Sequence, residues 1–170
     1  MAITPLTSKA LREIAWRDLL TVHAKLVRKM DADLAAAGLN PLEWYDVLLT
    51  LNEAPGRRLR LSELADRVLI SRSGVTRLVD RIEAKGLLAR ERCGEDRRGA
   101  YAVLTDAGFQ ELRRMWVVYS QIIAEQFGRH MTDDEAVTLH RVFARMLPQP
   151  AVALTVSGGR ATRESPPVPR

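Results

Sequence analysis

The sequence predicts a mainly α fold carrying one small β-hairpin. Three observations predict it. Apolar residues recur at helical spacing through most of 8–147. Two short runs, 87–93 and 100–104, flank a polar loop bracketed by Gly94 and Gly99, the pattern of a hairpin. Most glycines and prolines fall at or beyond the ends of these segments, with Gly74 and Gly108 in the first turns of two helices.

The first helix is expected from Ser8 to Ala37. Leu11, Ile14, Leu19, Val22, Leu26, Met30 and Leu34 give it an apolar stripe, and Gly38 supplies a stop. A second helix is expected to open at Asn40, with Pro41 at its first position and Glu43 completing a capping box, and to run to Glu53 before Ala54-Pro55-Gly56. Arg58 to Leu61 reads as a short extended piece, and Ser62 as the cap of a brief helix, Glu63 to Val68. Leu69-Ile70-Ser71 form a turn. The next helix spans Arg72 or Ser73 to Lys85 and ends at Gly86. After the hairpin, Thr105 caps a long helix to Phe127, closed by Gly128. Thr132 and Glu135 form the capping box of a last helix, which Pro148 stops. Residues 148–170 hold five of the eight prolines and read as a disordered tail.

Composition narrows the function classes. The chain has 170 residues, enough for a real core. No apolar run reaches membrane-spanning length and no signal peptide opens the chain, so a cytoplasmic protein with no membrane partner is expected. A single cysteine, Cys93, excludes an internal disulfide and any multi-cysteine zinc site. His23, His130 and His140 are scattered without metal-ligand spacing, and neither a phosphate-cradling loop nor a nucleophile motif is present. No cofactor, metal or catalytic activity is expected.

The charge is localised. Residues 57–99 carry twelve Lys/Arg and seven Asp/Glu, so the whole +5 excess of the protein sits there. Such a segment is either a solvated face or a surface for a polyanion. The helix at 73–85 separates the two. Val75, Leu78, Val79 and Ile82 share one face and should pack on the core; Ser73, Thr76, Arg77, Asp80 and Arg81 are left on the other. A short, polar, arginine-bearing helix fits the major groove of duplex DNA, where arginine pairs with guanine. Its N-terminal amides favour phosphate, and Gly74 allows close backbone approach. The hairpin tip carries Asp96, Arg97 and Arg98. An arginine there can enter a narrow minor groove, while Asp96 would pair with an arginine and shape the loop. Helix, turn, helix and hairpin in this order make a winged helix-turn-helix, assigned to residues 40–104. The first helix and 105–147 carry more apolar residues than so small a unit can cover, and are assigned to a helical dimerisation layer. A homodimer would place two reading helices about one DNA turn apart, about 34–36 Å, on a pseudo-palindromic site. The rival reading is a winged helix that binds a protein; the exposed arginines, without an aromatic anchor, oppose it.

These residues resemble the multiple antibiotic resistance regulator (MarR) family. Leu61-Ser62-Glu63-Leu64-Ala65 and the run from Ser73 to Leu87 are its most specific stretches. Asp96-Arg97-Arg98 and Leu104-Thr105 are similar to the family's Asp-x-Arg wing and Leu-Thr strand end. The resemblance covers about 8–147. It implies a transcriptional regulator, often a ligand-responsive repressor, with a recognition helix at 73–85, a wing arginine at Arg98 and interlocked terminal helices. It also implies a small aromatic or anionic effector held near Trp16, Arg17, His23, Trp44, Tyr45, Asp46 and Trp116. The competing reading makes these core or dimer-interface residues. Cys93, near Arg90, Arg92 and Arg97, is either an incidental thiol or a weakly activated one.

Overall fold

The computed structural model describes residues 7–68, 72–92 and 100–147. In chain order it contains helix α1 (Ser8–Ala36), α2 (Leu42–Asn52), strand β1 (Arg58–Arg60), α3 (Leu61–Arg67), α4 (Arg72–Ala84), strands β2 (Leu88–Arg92) and β3 (Ala100–Leu104), α5 (Asp106–Ile122) and α6 (Asp133–Ala144). A compact unit runs to Ile122, and a second begins at Ile123. The expected tail, 148–170, lies outside the described residues.

In the first unit, α1 begins where expected, with the Thr7 hydroxyl accepting from the Ala10 amide at 3.2 Å. At 29 residues it is about 44 Å long. Only its last turns are covered, through Met30 and Leu34. The start of α2 differs from expectation. No side chain of its own caps it. Asp31 of α1 does so instead, its Oδ1 accepting from the Leu42 amide at 3.0 Å. Asn40, expected to be the cap, donates its side-chain amide to Glu111 Oε1 of α5 at 2.7 Å. A tertiary acceptor has replaced the local one. Further on, α3 starts earlier than Ser62 would allow as a cap; the Arg60 amide donates to Glu63 Oε2 at 3.3 Å.

The expected hairpin is part of a larger sheet of three strands, ordered β1-β3-β2. Both pairings are antiparallel: Leu59 lies opposite Ala102, and Leu88 opposite Leu104. These four are buried, so the sheet turns one face to the core by its period of two. The short extended piece expected after Pro55-Gly56 is therefore the edge strand of this sheet.

The core joins Trp44, Tyr45, Val47, Leu48 and Leu51 of α2 to Leu64, to Val75, Leu78, Val79 and Ile82 of α4, and to Leu112 and Met115 of α5. Thus the first half of α5 belongs to the same core as the helix-turn-helix rather than to a separate layer. Its start is tightly seated. A Cβ on Gly108 would lie 1.9 Å from the Leu87 carbonyl oxygen, so only glycine fits. Thr105 ties the same corner: its hydroxyl donates to the Gly86 carbonyl at 2.8 Å and accepts from the Gly108 amide at 3.0 Å. Gly86 takes φ +71°, the left-handed turn that ends α4.

The long helix was expected to reach Phe127. Its α-helical part ends at Ile122, and Ile123–Phe127 form a π-helical turn followed by a tight turn at Gly128–His130. In this second unit α6 has the expected capping box: the Thr132 hydroxyl accepts from the Glu135 amide at 3.4 Å, and Glu135 Oε2 accepts from the Thr132 amide at 2.7 Å. That amide bond first, and then the Thr132 hydroxyl donating to the same oxygen at 2.9 Å, hold the Glu135 carboxyl below its ordinary value. α6 ends at Ala144, before Pro148, which lies outside the described residues. No helix among the described residues is long and apolar enough to cross a membrane.

Candidate nucleic-acid interface

Helical periodicity sorts α4 into two faces. Val75, Leu78, Val79 and Ile82 are buried, while Thr76, Arg77, Asp80 and Arg81 are exposed and Gly74 is half-buried. α3 packs against α4, and β2 packs along it, so the polar face is held outward by a rigid support. Ser73 lies in α4, but its side chain is outside the described set. Asp96, Arg97, Arg98 and Cys93 lie outside the described residues.

Several cations of the basic segment have partners in the protein. Arg81 Nη2 donates to Glu43 Oε1 of α2 at 2.7 Å. Arg90 of β2 spans two acids on α4, with Nη2 at 2.5 Å from Asp80 Oδ1 and Nη1 at 2.6 Å from Glu83 Oε2. Arg58 pairs with Glu91 at 3.5 Å and lies 4.8 Å from the Tyr101 ring centre. Arg57 covers the Phe109 ring at 4.3 Å. Among the described residues, Arg77 has no ion-pair partner. The helix therefore presents Arg77 to solvent, with Arg81 committed to a neighbouring helix.

Glu43, Glu83 and Arg90 were not singled out as site residues by sequence reasoning. One signal was available. Asp80 and Glu83 stand one helical turn apart on an arginine-bearing helix, a spacing that one cation from a neighbouring element can bridge. Arg90 faces them because strand alternation places it on the same side of β2 as buried Leu88.

The residues assigned to an effector divide by environment. Trp44 and Tyr45 are core residues, 5% and 4% exposed. Trp16 is 62% exposed on the uncovered length of α1, and Arg17 and His23 are also exposed. Within the core, Tyr45 meets Tyr119 at 4.6 Å and Trp116 at 6.4 Å between ring centres. Tyr119 was not among the residues that sequence reading assigned to this cluster. Asp46 is half-buried beside these rings, and burial raises its carboxyl above the ordinary value. Burial first, and then the Asp46 charge, raise the Tyr119 hydroxyl. The indole Nε1 of Trp44 is buried without an acceptor among the described residues. No cluster of potential metal ligands occurs among the described residues.

A helix pair with a polar outer face, set beside a small antiparallel sheet, defines a winged helix-turn-helix protein. Residues 37–99 match the MarR family. The structure superposes on Sco3205 of Streptomyces coelicolor, a MarR family transcriptional regulator solved in complex with DNA. The TM-score is 0.74 at 30% identity, covering 85% of this chain and 89% of that one. The chain belongs to the MarR family of transcriptional regulators, which are not enzymes. The HTH-type transcriptional regulator PrsX of Escherichia coli is 33% identical over 102 residues, 60% of this chain and 60% of its own length. The match thus spans about three fifths of that relative. The HTH-type transcriptional repressor MdtR of Bacillus subtilis is 27% identical over 128 residues, 75% of this chain and 80% of its own.

Proposed function

We propose that the protein is a DNA-binding repressor that acts in the cytoplasm as a homodimer on a pseudo-palindromic operator and is released by a small effector. The observation that carries the DNA reading is α4, which buries four aliphatic residues and turns Thr76 and Arg77 outward. In this reading Ser73, Gly74 and Thr76 approach the backbone, Arg77 reads a base in the major groove, and Arg81 joins them when Glu43 lets go. Arg97 and Arg98 reach the minor groove, with Asp96 shaping the loop. The Sco3205 complex with DNA supports the reading, and the name of MdtR supports repression.

The homodimer is supported by α1. Leu11, Ile14, Leu19, Leu20 and Val22 are all more than a third exposed in the single chain. Covering what remains exposed of each would stabilise an assembly by about half of the ~1.5–3 kcal/mol that a full burial gives. The effector reading rests on the aromatic cluster with its half-buried acid: rings supply apolar contact, and a few polar groups give orientation.

Titration of the full chain against a mixed-sequence duplex at two salt concentrations tests the DNA reading. Binding that weakens steeply with salt is expected, with a log–log slope of about 0.9 per phosphate contacted. Failure to bind genomic duplex at low ionic strength would refute it. The mass of the free protein by light scattering tests the dimer.

A further inference from the structure

We propose that Arg90 is the positioning residue that locks the recognition helix to the wing, so that α4 and the strand pair reach DNA as one rigid body. The proposal rests on the DNA-binding reading above and adds a role for a residue that does not itself touch DNA.

The geometry is a three-point clamp. The Arg90 guanidinium donates to Asp80 Oδ1 at 2.5 Å and to Glu83 Oε2 at 2.6 Å. Its own backbone amide donates to the other Glu83 oxygen, Oε1, at 3.0 Å. Glu83 is thereby held at both oxygens by a single residue of β2. The two acids stand three residues apart on α4, so the fork of Arg90 spans one turn. A planar guanidinium can serve two carboxylates at once in fixed directions; an ammonium cannot hold the same geometry. Arg90 is only 29% exposed at its side chain.

The clamp answers two needs of a DNA-reading helix. Asp80 and Glu83 would repel phosphates if left bare, and Arg90, shared between them, offsets one of the two charges from within the protein. The angle of α4 against the sheet decides whether Arg77 and the wing can occupy adjacent grooves together. Buried aliphatic contacts hold the helix to the core, but they are non-directional. The two charged hydrogen bonds supply the direction.

The test compares full-length wild type, R90K, R90M and the double variant D80N/E83Q. Two duplexes serve as probes: one enriched by the wild-type protein from a random-sequence library, and one of mixed sequence. Thermal denaturation identifies any variant that fails to fold, and the double variant attacks the same clamp while keeping the arginine. The readout is the ratio of the two affinities. We expect R90M and D80N/E83Q to reduce it by roughly tenfold, the scale of one lost base contact. R90K should not rescue it, because it restores charge without the fork. The salt slope on mixed-sequence duplex should stay at the wild-type value in R90M. A slope lowered by about one, with equal weakening on both duplexes, would make Arg90 a phosphate contact and overturn the proposal. Full rescue by lysine would overturn it too. Hydrogen exchange on the free protein tests the clamp without any DNA. In R90M the amides of β2 and the last turns of α4 should exchange faster, while those of α2 stay at wild-type rates. Unchanged exchange refutes the clamp even if DNA binds; wild type that ignores both duplexes refutes the DNA reading alone.

Discussion

Arg77 and Arg81 were equivalent in the sequence, four residues apart on one helix face. The structure separates them, because Arg81 is met by Glu43 from α2 and Arg77 is not. Replacing Arg77 by alanine should cost about 1–3 kcal/mol of discrimination at one base pair per half-site; binding measured across a panel of single-base operator variants checks this. Equal loss on every variant would make Arg77 a backbone contact. Glu43→Gln should cost little stability, about 0–1 kcal/mol for an exposed pair. It should also free Arg81, raising duplex affinity and steepening the salt slope by about one unit. Asp46 gives a pH prediction. Burial raises its folded-state value above the ordinary 3.8, so the folded state holds the proton longer than the unfolded chain. The contribution of this group to stability is complete below 3.8 and is lost as pH rises through the raised value. Urea unfolding midpoints of Asp46→Asn should lack that fall, narrowing the gap to wild type at the acid end and favouring the variant near neutrality. The face of α4 was legible at this scale because periodicity sets it. The partners of Arg81 and Arg90 were not, because they stand on other elements, 38 residues away for Arg81 and 10 and 7 for Arg90.

Most element positions could be read from local chemistry. Gly86 ended α4, Thr105 opened α5, and the Thr132–Glu135 box opened α6, each because its hydrogen bonds are made within a few residues. The start of α2 could not be read this way. Its cap is Asp31, which lies eleven residues earlier on another helix, and Asn40 was left to bond Glu111. The short strand at Arg58–Arg60 was legible, but its place in the sheet was not, for a related reason: β1 has only three residues, too few to show a period, and its pairing with β3 is made far along the chain. The same scale holds the sharpest stability prediction. Gly108→Ala forces a methyl group against the Leu87 carbonyl. It should destabilise by about 3 kcal/mol, the upper end of ordinary overpacking, and chemical denaturation would measure it. A change within about 0.5 kcal/mol would mean that the corner relaxes.

At the scale of the molecule, the uncovered half of α1 is the feature a lone chain does not explain. Leu19→Glu together with Val22→Glu should leave the Met1–Ile122 core folded, since neither residue is buried in it. The pair should shift the assembly toward monomer in light scattering and weaken duplex binding in parallel, because two linked half-sites bind far more tightly than one. A variant that remains dimeric would move the interface elsewhere. The sequence reading expected α1 and the C-terminal helices to form a layer apart from the DNA-reading part. The first half of α5 shares its core with α2 and α4 instead, and spacing alone could not reveal which core an amphipathic face would join.

The missing side chain at Gly108 has a mechanical consequence. Backbone rests on backbone at the first turn of α5, with no methyl cushion between them. A twist applied farther along that helix would meet Leu87, three residues past the end of α4, at the backbone and not through a side chain. Such a corner would act as a fulcrum, turning leverage at one end into tilt at the other.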